Sequence, residues 1–221
     1  MTGGRPAGGE AVSADAEPIV FEASTTGWQE LYRRLVEVVV PRPIALVATV
    51  DSQGRTNLAP FSFFTIVSSN PPCLAFAPQR SGRTGELKDT LLNVQATGEF
   101  VVAVVTEELA DKVNKAAARL PRGTSEFTHA GLTPAKASRI AAPLVAESPV
   151  NIECRVVEVR TYGEGPGAGS LVVGEILAAR FLPSLFDERG RVAADRLRAV
   201  GRMGGELWVR TRETFALPRP D

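Results

Sequence analysis

Hydrophobic residues run almost unbroken from Ile44 to Val50. After a turn at Asp51-Ser52-Gln53-Gly54, a second segment mixes Asn57, Pro60 and Ser62 into an apolar stretch. It closes at Asn70-Pro71-Pro72. Runs rich in β-branched and aromatic residues, bounded by such turn signals, form strands, so Pro41–Asn70 is predicted to be a hairpin or meander. Pro60 has no N–H to give a ladder and therefore marks an edge, a bulge or a strand break. A break frees neighbouring backbone groups, which need partners. Water serves at an ordinary bulge; a bound polar ligand is the other possibility.

Elsewhere the pattern predicts further elements. Gly27–Val36 is a short helix, with Leu31/Leu35 and Trp28/Tyr32 as apolar pairs. Trp28 is expected in the core, the alternative being a cover over a cofactor. Cys73–Pro78 is a buried strand. Gln79–Gly85 is a loop holding Arg80, Arg83, Ser81 and Thr84 between glycines, a composition that suits either a solvated turn or a phosphate cradle. A helix follows, with Asp89 as N-cap and Gly98 as its stop. Glu99–Val105 is a strand, and Thr106–Ala118 a helix capped by Thr106 with a solvated charged face.

Arg119–Ser148 has no period and holds three prolines and two glycines. A connection this long is usually functional or mobile. It is expected to pack over a barrel edge, anchored by Phe127, Leu132 and Leu144. His129 within it is expected to be structural or exposed, although it is the one side chain whose ordinary pKa lies near neutrality. Val150–Thr161 alternates as a half-buried strand, with Val150, Ile152, Cys154 and Val156 opposite Asn151, Glu153 and Arg155. The glycine-rich Tyr162–Gly169 joins it to a partner strand, Ser170–Phe181. It opens no helix and so is no nucleotide fingerprint. Near the C-terminus, Arg198 and Arg202 accompany a turn-forming Gly201-Arg202-Met203-Gly204-Gly205 whose glycines permit close approach to a ligand.

Six to eight strands joined mostly by hairpins, two or three short helices and no βαβ alternation predict an antiparallel barrel, closed or nearly so. The 221 residues suit one domain, placed at 19–215 behind a flexible tail at 1–18. Twenty-five basic residues balance 25 acidic ones, so no general field draws nucleic acid or an anionic membrane. No apolar run approaches the ~20 residues that span a bilayer, and no secretory leader is expected. Cys73 and Cys154 are predicted to be buried free thiols in a reducing cytoplasm. One histidine and two cysteines argue against a zinc site.

The motifs together resemble the flavin reductase-like family with the FMN-binding split barrel, in its longer branch. The resemblance rests on Arg42-Pro43-Ile44-Ala45 with Thr49, Asn57-Leu58-Ala59-Pro60-Phe61-Ser62-Phe63-Phe64, Asn70-Pro71-Pro72 and Lys88-Asp89-Thr90 with Asn93. Further matches are Glu99-Phe100-Val101-Val102, the strand from Glu147-Ser148-Pro149 to Glu153-Cys154, and Gly201-Arg202-Met203-Gly204-Gly205. They occur in order over about 42–208. The resemblance implies a mainly β, Greek-key-like antiparallel split barrel with a few short peripheral helices. It also implies a homodimer holding FMN near the subunit interface. By the same resemblance Thr49, Val50, Asn57, Ala59, Pro60, Phe61, Ser62 and Phe63 line the isoalloxazine and ribityl chain. Ser62, Arg80, Ser81 and Lys88 are the candidates for the phosphate. Thr90 and Asn93 support the pocket, and Arg202 reaches the flavin from the C-terminal segment. His129 does not match the histidine that some short members place beside the nicotinamide.

The leading expectation is an NAD(P)H-dependent reductase of flavin or a small acceptor, with hydride passing to flavin N5. The cofactor carries that chemistry, which agrees with the lack of a triad or carboxylate pair in the sequence. The rival is an FMN-binding electron-transfer protein serving a protein partner. Open access to the flavin would favour the enzyme. Cover by the 119–148 segment or by Trp28 would favour the carrier. Without a Rossmann fingerprint no ribose-reading acid distinguishes NADH from NADPH.

Overall fold

The computed structural model describes residues 17–220. The expected tail at 1–18 lies, as far as residue 16, outside the described residues. Helix α1 (Trp28–Val38) precedes a two-residue strand β1 (Arg42–Pro43) and the long apolar run, which forms β2 (Ala45–Val50). Then come β3 (Thr56–Phe61), β4 (Phe64–Ser69), β5 (Pro72–Phe76), α2 (Asp89–Thr97) and β6 (Glu99–Val104). A 3₁₀ turn at Glu107–Leu109 leads into α3 (Ala110–Ala116), and α4 (Glu126–Ala130) follows. Strands β7 (Pro134–Ala135) and β8 (Leu144–Val145) form a small pair before the long hairpin of β9 (Val150–Tyr162) and β10 (Gly169–Phe181). The chain closes with α5 (Ala194–Leu197), β11 (Val200–Arg202) and β12 (Trp208–Arg210).

Seven strands form one antiparallel sheet in the order β3-β2-β6-β9-β10-β5-β4. β3 and β4 stand at its opposite edges, yet only Ser62 and Phe63 separate them. Three Cα steps reach at most about 11 Å, so the sheet must curl until its edges lie side by side. The result is a barrel with one seam that carries no ladder. A second sheet, β1-β11-β12, stands apart from the first. No described helix is long and apolar enough to cross a membrane.

β2 is buried at every position because both its faces are covered. Ala45 and Val47 join Phe61, Phe76, Phe100 and Val172 in one cluster, closed by Leu91 and Val94 of α2. Leu46, Ala48 and Val50 pack in the other with Leu58, beneath Val113 of α3 and Phe127 of α4. Two-sided burial explains an unbroken apolar run where alternation would otherwise be expected. Phe76 lies between Phe61 and Phe100, with ring centroids 5.2 and 5.1 Å away. Beside a register shift in β10, Gly174 faces this stack, and a Cβ there would collide with the Phe100 ring.

The seam is tied by Arg42, which is 7% exposed. Its guanidinium donates to the carbonyls of Val36 (2.6 Å), Val39 (2.9 Å) and Met203 (2.9 Å), and to Ser62 Oγ (3.4 Å). One side chain thus satisfies carbonyls at the end of α1 and anchors the turn after β11 to the β3–β4 link.

Several expectations are corrected. The N-cap of α2 is Lys88, with Asp89 the first helical residue and no side-chain cap bond, while Gly98 ends it in the left-handed region as expected. The helix read from Thr106 to Ala118 begins as a 3₁₀ turn and stops at Ala116. Trp28 is not in the core, since α1 buries no residue. On β9 the polar side is not uniformly wet: Asn151 and Glu153 are both buried, beneath the segment read as irregular. Asn151 holds Val145 through bonds to its N–H and carbonyl. Glu153, wholly buried, accepts from Ser138 N (3.0 Å), Ser138 Oγ (2.8 Å), Arg139 N (2.7 Å) and Arg180 Nε (3.2 Å). The segment also folds as expected onto β3, with Phe127, Leu132 and Leu144 in the core.

Burial acts to raise the Glu153 pKa, but the donors from Arg139, Ser138 and Arg180 outweigh it and hold the carboxyl below the ordinary glutamate range. A depressed folded pKa stabilises the fold above the unfolded value, about 4.3. That contribution is lost as pH falls through the lower folded value. Glu153→Gln is expected to cost about 2–4 kcal/mol near pH 7 in urea denaturation, because its amide turns donors toward donors. The gap between variant and wild type should begin to narrow as pH falls below the unfolded value of about 4.3 and close only past the lower folded value, where the wild-type carboxylate is itself protonated.

Candidate functional site

The site begins with the problem of an edge strand. β3 has β2 on one side only. Its Leu58 N–H points outward and donates to Glu126 Oε2 at 3.1 Å. Outward positions recur every second residue in an antiparallel strand, so Pro60 also faces outward and its missing N–H is not needed there. Pro60 pairs in register with Leu46 without breaking the strand. Of the three readings of this proline, the edge is the correct one, and the break falls instead at Ser62-Phe63.

Beside this edge lies a cavity of about 760 Å³. Asn57, Ala59, Pro60 and Phe61 of β3 form one wall. Ser81, Lys88 and Thr90 line it from the loop and α2. Across it stand Ala116–Ala118, Arg119, Leu120, Arg122 and Glu126. The size falls within the range of cavities that hold drug-sized ligands, roughly 300–1,000 Å³.

A buried polar cluster sits behind the β3 wall. Thr49 Oγ1 accepts from Asn57 Nδ2 (3.3 Å) and Asn93 Nδ2 (3.0 Å), and Asn57 Nδ2 also donates to Thr90 Oγ1 (2.9 Å). All four residues are buried. Thr49 and Asn57 are register partners on β2 and β3, and Thr90 and Asn93 lie three apart on α2, so the cluster locks the helix to the hairpin.

Of the expected site residues, Asn57, Ala59, Pro60, Phe61, Ser81, Lys88 and Thr90 share the cavity wall. Thr49 and Asn93 stand behind it in the polar cluster. Val50 points into the core under α3 and α4. Ser62 lies at the seam on Arg42, and Phe63 packs edge-on against Tyr32, centroids 6.4 Å apart. Arg80 adjoins Ser81. It donates through Nη1 to the Gly85 carbonyl (3.1 Å), while its Nε is buried with no acceptor. Arg202 sits in the second sheet, donating to the Gly205 carbonyl (2.6 Å) with its guanidinium over the Trp208 ring. Neither Ser62 nor Arg202 lines the cavity. His129 is exposed on α4 and does not line it either.

Sequence reasoning missed Arg119, Arg122 and Glu126, which lie in the stretch without a period. Ser125 before Glu126-Phe127 was the available signal, a helix start inside an apparent loop. Burial raises the Glu126 carboxyl above its ordinary value; the Leu58 amide opposes the shift and nearby Asp89 adds to it. Arg122 pairs with Asp89 at 3.5 Å, a partly exposed contact of small energetic weight. Among the described residues no cluster of His, Cys, Asp and Glu is arranged to hold a metal.

An antiparallel barrel with one open seam is the split-barrel architecture of flavin reductase-like folds. The chain belongs to the flavin reductase like domain family, whose model matches residues 38–194. The solved structure of nitrilotriacetate monooxygenase component B from Bacillus cereus is 32% identical, superposes with a TM-score of 0.85, and covers 91% of this chain and 100% of its own. The 2-nitrobenzoate 2-nitroreductase of Pseudomonas fluorescens is 30% identical with a TM-score of 0.81, covering 91% and 96%. A Shewanella frigidimarina protein with a split barrel domain shares the fold at 22% identity and a TM-score of 0.77, covering 92% and 100%. The chain is therefore a flavin-binding oxidoreductase by family.

The residues present suit a flavin phosphate ester. A buried guanidinium N–H lacks an acceptor, Lys88 has no ion-pair partner among the described residues, and Ala59, Pro60 and Phe61 of the β3 wall offer apolar faces. Thr49→Val keeps the shape of the side chain but removes the acceptor that Asn57 and Asn93 share. We expect a loss of about 1–3 kcal/mol in urea denaturation, with a matching fall in flavin affinity, since α2 would lose its tie to β2 and keep only the Asn57–Thr90 bond to β3.

Proposed function

We propose that this protein is an NAD(P)H-dependent reductase that holds FMN in the cavity along β3 and passes electrons to flavin or a small acceptor. The observation that carries the reading is the cavity itself. Seven residues expected at a flavin line it, among them the phosphate candidates Ser81 and Lys88, with Arg80 adjoining in sequence. Bound there, FMN would supply the redox chemistry, as acceptor of hydride and donor of electrons. The chain supplies the rest. Phe61, Ala59 and Pro60 give an apolar wall for a planar ring system. Asn57 and Thr90 hold that wall rigid through the polar cluster, so the ring's position is fixed before binding. Arg80, Ser81 and Lys88 offer fork, hydroxyl and ammonium to a dianionic phosphate.

Cover over the cavity was the feature expected of a carrier, and here it is divided. Arg119, Leu120, Arg122 and Glu126 do form the far wall, whereas Trp28 does not line the cavity. The far wall supports the second reading, electron transfer to a protein partner. The volume supports the first, since it lies toward the upper end of the range for a single small ligand. The names of the two 30–32% identical neighbours, a monooxygenase component and a nitroreductase, favour a redox enzyme over a passive carrier.

We also propose a homodimer. Helix α1 buries none of its residues and leaves Tyr32, Leu35 and Val38 exposed, and β4 exposes Ile66 and Val67. Exposed apolar side chains of this kind suit a second copy. Buried Cys73 and Cys154, both free thiols, fit a cytoplasmic chain.

An anaerobic absorbance titration tests the enzyme reading. Rapid bleaching of the bound flavin by NADH or NADPH is expected; a flavin that stays oxidised with both would leave the carrier reading standing. The double variant Arg80→Ala/Lys88→Ala should lower FMN affinity by about 100-fold, as for two charge-assisted hydrogen bonds. Unchanged affinity would remove the phosphate from this loop. Light scattering after size exclusion should give about twice the chain mass, and Leu35→Glu should halve it.

A further inference from the structure

The loop from Gln79 to Lys88 that carries the phosphate candidates is seated on the tip of the β9–β10 hairpin. Gln79 bridges Gly169, Arg80 N–H donates to the Ala168 carbonyl (2.8 Å), and Ser170 N–H donates to the Pro78 carbonyl (3.0 Å). Within the loop, Ser81 N–H donates to the Glu86 carbonyl (2.9 Å) and Gly85 N–H to the Ser81 carbonyl (2.8 Å), which curls it around Ser81. These bonds seat the start of the loop and close its turn, which Arg80 Nη1 to the Gly85 carbonyl (3.1 Å) and Thr84 N–H to Ser81 Oγ (3.2 Å) brace further; how the turn lies against the hairpin tip is set by packing.

That packing comes from Trp28. Its indole lies where Gly167 and Gly82 leave room: a Cβ on Gly167 would sit 2.6 Å from the ring, and one on Gly82 would sit 3.4 Å from it. Gly167 is also in the left-handed region, with φ near +80°, so the hairpin tip needs glycine there for two reasons. Trp28 is the first residue of α1, remains 43% exposed and belongs to neither core cluster, its ring lying against the two glycines. A further anchor of α1, beside the Tyr32–Phe63 contact, is Arg42, which binds carbonyls at the far end of the helix.

We infer that Trp28 is a positioning residue for phosphate-ester recognition, wedging the Arg80-Ser81-Gly82 turn against the Gly167 hairpin tip so that the loop's donors are preorganised. The inference rests on the flavin reading proposed above. It assigns discrimination between FMN and riboflavin to α1 and the hairpin tip as well as to the charged side chains. A wedge that acts only through this loop affects the phosphate and leaves the ring site along β3 untouched.

The test compares dissociation constants for FMN and riboflavin, by flavin fluorescence titration, in the wild-type protein, Trp28→Ala, Trp28→Phe and Gly167→Ala. Trp28→Ala should weaken FMN about tenfold, as for one lost charge-assisted hydrogen bond, while riboflavin changes less than about twofold. Trp28→Phe should recover most of the FMN affinity, since a ring still fills the gap. Gly167→Ala, which expels the indole, should reproduce the alanine pattern. An unchanged FMN constant in Trp28→Ala, or equal losses for FMN and riboflavin, would overturn the inference while leaving the flavin site in place. Wild-type protein that binds FMN no better than riboflavin would overturn the phosphate reading of the loop, and this inference with it.

Discussion

Thr49, Asn57, Thr90 and Asn93 meet in a buried polar cluster on which the geometry of the site depends. Such a cluster is stable only when its members satisfy one another, because an orphaned amide in the interior costs as much as several ordinary contacts return. Here three elements are tied by three hydrogen bonds: the central strand β2, the edge strand β3 and the helix α2. The helix brings the chain from the 79–88 loop to the cavity, and the edge strand supplies the opposing apolar wall. A shift of either would move the ring wall and the phosphate loop relative to each other.

The second constraint is closure. A two-residue link forces the two outer strands of a seven-stranded sheet together, and the resulting seam has no ladder of its own. The chain covers the exposed β3 amide with a carboxylate from α4, places Pro60 where no amide is wanted, and ties the link with Arg42. An edge handled in this way resists pairing with other chains but keeps its side chains accessible. Edge protection and a ligand-facing wall are therefore two aspects of the same strand.

Much of this was legible in the residues, for identifiable reasons. The apolar run at 44–50, the glycine-bounded hairpin and the proline in β3 follow from local rules; they yielded the barrel, while the proline left edge, bulge and break open. The motif resemblance located Asn57, Thr90 and Asn93. What could not be read was which distant segments face each other. Alternation along β9 separated two sides correctly but could not say that Asn151 and Glu153 would be covered, because the cover is a loop without a period. The far wall of the cavity went unread for the same reason. Trp28 and Tyr32 marked an apolar helix face truly, yet within one copy Trp28 meets Gly82 and Gly167 and Tyr32 meets Phe63 without either being buried, so core burial was the wrong inference from a correct pattern.

The central claim is that the flavin occupies the cavity between β3 and the Arg119–Glu126 segment. Amide hydrogen exchange with and without FMN tests it most directly. The account predicts new protection in peptides covering Thr56–Phe61 and Gln79–Lys88, with little change in β11 and β12. Protection confined to the second sheet around Arg202, or none anywhere on the chain, would contradict it.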